Sequence, residues 1–293
     1  VIAGVLALGL AYEIIEPATQ ALVVETVPGA KQASTFALLW SSIAVAGVVS
    51  GVLVAPLAPW GVSALFVADA LSSLLAAAVA ARLLPSTTSA VASPPWRSAL
   101  TRRLIVWTGI GTLYAVLVML IVFMLPLAVE VAGWSPVVTG WLLAVAAAAA
   151  IGAQRLVARW EERLRPATML VIGHVVLAAG LALWATGELG FLVLGAVLEG
   201  ASGAFCLGTY QAVAGRMAQP GLAAAVMTVF GLSWGVAAVI APAVGTALLA
   251  LGSGILWLSC AATSLALAAL HASAGVQRRP SGAQSAGRRS SDR

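Results

Sequence analysis

Apolar residues in this chain come in runs of twenty or so, broken by short polar joints. That pattern predicts one helix after another, each long enough to cross a hydrocarbon core of about 30 Å. Nine segments read this way: 1–24, 33–56, 61–84, 103–129, 137–157, 167–187, 189–214, 222–248 and 253–271. None alternates with period two as a membrane-barrel strand would. A lone segment in lipid must satisfy its own backbone hydrogen bonds, so all nine are expected to be α-helices. The expected class is an all-α, multi-pass membrane protein.

The polar joints sort by charge. Lys31, Arg82, Arg97, Arg102, Arg103, Arg155, Arg159, Arg163, Arg165, Arg216 and the tail arginines Arg278, Arg279, Arg288, Arg289 and Arg293 occupy alternate joints. The intervening joints, around Pro56–Gly61, Glu130–Pro136, Gly187–Gly190 and Gly252–Gly254, hold no Lys or Arg. All 15 basic residues therefore fall on one side. The positive-inside rule makes that side cytoplasmic and puts the C-terminus there, in a cell membrane.

A shift of 191 residues lays the first segment on the seventh: Gly4 on Gly195, Gly9 on Gly200, Gln20 on Gln211, Ala21 on Ala212. One more residue of slip aligns Pro28 with Pro220, Gly29 with Gly221 and Ser41 with Ser233. Internal repeats of this kind are a mark of transporters. Segments one to three then pair with seven to nine, leaving four to six without a partner. Three helices before Val1 would complete two sets of six.

Composition narrows the class further. Hydrophobic residues make up 61% of the chain and charged residues 9%, against about 25% charged in a soluble domain. The net charge of +5 lies in the joints and tail rather than on a stripe, so no nucleic-acid partner is expected. Cys206 and Cys260 sit in separate apolar runs without metal-ligand spacing and read as packing residues. There is no HExxH, no phosphate-binding glycine loop and no nucleophile pair, which argues against an enzyme, a metal site or a cofactor. The stretch 85–95, PSTTSAVASPP, reads as a linker, and the Ser/Gly/Arg-rich end as a disordered tail.

Two sets of six helices about a cytoplasmic linker resemble the major facilitator superfamily. Local patterns agree. The first segment, with Pro17-Ala18, Gln20-Ala21 and Pro28–Lys31, looks like the family's fourth helix. ALFVADALSSLL at 64–75 is similar to the sixth helix of drug-efflux members, and LPLAVEVAGWSPVVTGWLL at 125–143 resembles the seventh-to-eighth junction. Ala241–Gly245 resembles the antiporters' Gly-Pro motif in its second-half form, whereas Gly47 and Gly51 lack the adjoining proline. The resemblance implies a major facilitator fold of two six-helix bundles, with the drug and macrolide exporters as the nearest branch and the first three helices absent. It implies the remainder of the N-terminal bundle at 1–84, a linker at 85–102, a C-terminal bundle at 103–271 and a basic tail at 272–293. In LVARWEERLRP, Ala158 stands where the family's gate motif has an Asp. Arg159, Glu161, Glu162 and Arg163 are the resulting candidates for a cytoplasmic gate.

An ionisable group within a span costs about 2.5–3.5 kcal/mol on insertion scales, so each needs a reason. Gly9, Glu13, Glu16 and Gln20 share one helix face, and Glu199, Gly203, Cys206 and Tyr210 share another, with Gln211 beside it. Glu13, Glu16 and Glu199 are the candidates for proton coupling; the competing account leaves the first two solvated near cytoplasmic water. Two carboxylates one turn apart in low dielectric do not both ionise cheaply, which favours a titrating site. Gln20, Trp107, Tyr114, Tyr210 and Gln211 are the candidates for the substrate cavity. Asp69 and His174 read as structural polar contacts. The pairs Gly47/Gly51 and Gly231/Gly235 have the spacing that lets helices approach closely.

These observations predict proton-coupled efflux of lipophilic, drug-like compounds or metabolites by alternating access, with protons, a small-molecule substrate and the bilayer as partners. Proton-coupled uptake of a small nutrient, or a non-transporting or truncated membrane protein, are the competing readings.

Overall fold

The structure, a computed structural model, describes residues 15–57, 60–83, 95–161 and 163–277. Among these the regular elements are all helical. They are α1 (15–26), α2 (Gln32–Leu57), α3 (Val62–Leu83), α4 (Arg102–Val131), α5 (Pro136–Trp160), α6 (Pro166–Trp184), α7 (Leu189–Gly215), α8 (Ala223–Ala250) and α9 (Ser253–Gln277).

Among the described residues, seven helices, α3 to α9, are long and apolar enough to cross a membrane. The predicted span 33–56 folds as one continuous helix, the 26-residue α2, and of the predicted span 1–24 only residues 15–24 lie within the described residues, all helical. Helix starts follow local chemistry. Thr101 caps α4 by accepting the Leu104 N–H, and Ser135 caps α5 ahead of Pro136. The Pro220-Gly221 turn places Gly221 at φ +78°, a left-handed conformation that glycine adopts without a Cβ clash. Two expected boundaries move. Part of the linker, Trp96–Ala99, winds into a 3-10 turn that buries Ala99 against Leu104 and Val226. Helix α9 runs on to Gln277, past the expected end at 271.

Helix α7 is the hub. α6, α5 and α2 pack along it, α6 also carries α9, and α4 pairs with α8. Glycines set the closest approaches: a Cβ on Gly200 would strike the Ala146 carbonyl of α5, and one on Gly208 would strike the Ala33 carbonyl of α2. The Gly231 pair, expected to do this work, instead faces open space at both positions. Among the described residues helix α3 meets α2 only lightly and buries none of its apolar stretch.

The outside of the bundle is apolar as well as its core. Trp141 is 70% and Val239 78% exposed, whereas His174, Ser264, Thr209 and Gln211 are buried. An apolar outer surface suits hydrocarbon, and His174 and Ser264 hydrogen-bond to each other inside.

Candidate functional site

Two consecutive residues of α7 look in different directions. Tyr210 turns into a buried cluster with α4, α6 and α9. Its hydroxyl lies 2.9 Å from His174 Nε2 and 2.8 Å from His271 Nε2. His174 Nδ1 lies 3.1 Å from Ser264 Oγ, whose own hydrogen goes to the His174 carbonyl at 2.9 Å. Tyr114 stacks on Tyr210 with ring centroids 4.9 Å apart, and the Trp107 indole donates to the Tyr210 carbonyl at 3.1 Å. His174, Tyr210, Ser264 and His271 are each no more than 3% exposed.

Gln211 turns the other way, towards α2, and accepts a hydrogen bond of 2.8 Å from the Trp40 indole. It is one of several polar contacts along that seam. Glu161, at the end of α5, accepts the Ala33 and Ser34 N–H groups at 2.7 and 2.9 Å. Those are orphan donors in the first turn of α2, so the carboxylate meets both unpaired hydrogens and the positive end of the helix dipole. Gln154 of α5 donates to the Ala37 carbonyl at 2.9 Å and to Ser41 Oγ at 2.8 Å. Arg216 donates to the Gly29 carbonyl at 2.7 Å. These contacts gather the starts of α2 and the ends of α5 and α7, with their basic residues, at one end of the bundle.

The carboxylates lie further along. Glu199 is ten residues into α7, about 15 Å along it at 1.5 Å per residue. It is half-buried. Glu16 is half-buried on α1 and accepts from Gln20 Nε2 at 2.8 Å. Glu13 lies outside the described residues.

The predicted cavity set thus divides. Tyr114 and Tyr210 are buried inside the aromatic cluster with half-buried Trp107 beside them, Gln211 belongs to the α2 seam, and Gln20 is buried beside Glu16. Of the gate candidates, Glu161 bridges α5 and α2. Arg159 and Arg163 are exposed, without an ion pair among the described residues, and Glu162 lies outside them. Of the two expected structural contacts, His174 makes one, whereas the Asp69 side chain is exposed on α3. Sequence reasoning passed over Gln154, Arg216, His271 and Trp40. Gln154 carried a signal, being an amide within the apolar run 137–157, and His271 closes the last predicted span.

A search of curated proteins finds no match. The family model of the Major Facilitator Superfamily matches the chain twice, over residues 1–186 and 111–291. Matches that together span nearly every residue, on a set of long apolar helices, show that this chain belongs to the major facilitator superfamily of membrane transporters.

Proposed function

We propose that the protein exports lipophilic, drug-like compounds or metabolites across the cell membrane in exchange for protons. The observation that carries this reading is Glu199, a half-buried carboxylate midway along the hub helix. A carboxyl group at that depth is costly to keep ionised and changes its preference for the proton as water reaches it or is shut out. Glu16, held by Gln20 on α1, is the second candidate.

The seam supplies the moving part. Helix α2 and the turn before it are joined to α5 and α7 by separate polar contacts through Glu161, Gln154, Gln211 and Arg216. Breaking them opens the basic end of the bundle, and remaking them closes it. A proton on Glu199 biases that equilibrium by as much as its affinity differs between the open and closed forms.

The test uses inverted vesicles carrying the protein, an imposed pH gradient and a panel of lipophilic antibiotics. Gradient-driven accumulation that disappears in Glu199→Gln, while substrate exchange without a gradient persists, supports the reading. Accumulation unchanged in Glu199→Gln, Glu16→Gln and Glu13→Gln removes carboxylate coupling. Movement of substrate with the proton rather than against it replaces export with uptake.

A further inference from the structure

Trp40 of α2 and Trp234 of α8 meet with ring centroids 5.2 Å apart and planes tilted by 35°. Their helices have different main neighbours, α2 lying on α7 and α5, and α8 chiefly on α4. Both indoles are half-buried, so each keeps a face that another ring can reach. Gln211 accepts a hydrogen bond from one member of the pair, the Trp40 indole. An indole N–H only donates, so Trp40 fixes the Gln211 amide with its oxygen towards the ring. The Gln211 NH2 is then left as a buried donor with no partner among the described residues, on a side chain only 2% exposed. A buried amide without an acceptor costs about 1–3 kcal/mol. An acceptor brought in by a ligand recovers that cost.

From this juxtaposition we infer that Trp40, Trp234 and Gln211 form a recognition site for an uncharged aromatic compound bearing a carbonyl or ether oxygen. The ring enters between the two indoles and the oxygen accepts from the Gln211 amide. Indoles and an amide carry no net charge, which selects against ions. Inserting a ring needs the indole centroids to part to about 7 Å, and separation of α2 from α8 provides that movement. The site deepens the transport reading above and rests on it for its role, although its occupancy is measurable without transport.

Coumarin, an uncharged aromatic lactone, and naphthalene, of similar size but without an oxygen, serve as probes on the purified full chain in detergent. Tryptophan quenching and equilibrium dialysis read the binding. The expected result is that coumarin binds about tenfold more tightly than naphthalene, one hydrogen bond's worth of preference. Gln211→Leu brings coumarin down to the naphthalene level and leaves naphthalene unchanged. Trp234→Ala and Trp40→Ala weaken both probes, and Trp234→Phe, which keeps a ring and packs conservatively, restores most of the loss. Equal binding of the two probes, or coumarin binding unaltered in Gln211→Leu and Trp234→Ala, overturns the inference. If coumarin binds as expected but no pH gradient moves it or the antibiotics, the transport reading fails and the site stands. If the gradient drives antibiotic export while the three residues prove indifferent to coumarin, the site fails and the transport reading stands.

Discussion

The Tyr210 hydroxyl and His271 Nε2, 2.8 Å apart, join the end of α7 to the end of α9. The direction of that hydrogen bond follows from its neighbours. Ser264 spends its only hydrogen on the His174 carbonyl, so it must accept from His174 Nδ1–H. With the imidazoles neutral, His174 Nε2 is then an acceptor and takes the Tyr210 O–H. That leaves the Tyr210 oxygen to accept from His271 Nε2–H. One chain of donors thus runs through three helices, with each tautomer set by the next residue.

Removing its middle member strands both ends. Tyr210→Phe keeps the ring stacked on Tyr114 but leaves a buried His174 nitrogen without its donor and a buried His271 N–H without its acceptor. The expected loss is about 1–3 kcal/mol for each group left unsatisfied, read as a lower melting temperature of the purified protein. Ser264→Ala breaks only the far end and is expected to cost less. Equal melting temperatures for Tyr210→Phe and the parent would show that the chain holds nothing together.

Glu161 caps α2 from a different helix, so its loss acts on the contact between helices rather than on either helix alone. Capping side chains contribute about 0.5–2 kcal/mol. Glu161→Ala is therefore expected to open the basic end of the bundle severalfold more often. A cysteine placed at Ser34 reads this as faster reaction with a membrane-impermeant maleimide. The native Cys206 and Cys260 are buried and give little background.

Glycine positions divide by what lies beyond them. Gly208→Ala drives a methyl into the Ala33 carbonyl and must push α2 off α7, at about 1–3 kcal/mol for overpacking. The same label at Ser34 should again react faster. Gly231→Ala enters open space and is expected to leave both stability and labelling unchanged. Similar effects from the two substitutions would contradict the α2–α7 crossing.

Gln154 donates to two groups of α2 at once, so Gln154→Leu removes the donors to the Ser41 hydroxyl and to the second lone pair of the Ala37 carbonyl together. Combined with Glu161→Ala, the loss should fall short of the sum of the two, because either change alone loosens the same seam. A double-mutant cycle on Ser34 labelling rates measures it. Strict additivity would mean that the two contacts act on separate motions.

Much of the architecture was legible in the order of residues. Runs of apolar side chains forced helices, because lipid offers the backbone no alternative partner. Proline, glycine and small hydroxyl residues marked where those helices start and turn. The acidic residues Glu16 and Glu199 stood out because charge within a span is costly. What a single chain of letters does not carry is which face of each helix meets which neighbour. All faces of such a helix are apolar, so periodicity gives no direction. Tertiary packing decided that Gly200 and Gly208, rather than Gly231, mark the close crossings, since only backbone proximity distinguishes them. It also decided that Tyr210 turns to two histidines while Gln211 turns to Trp40. Hydrogen bonds between residues 36 to 171 positions apart depend on where helices pack, and that is a property of the whole bundle rather than of any one run.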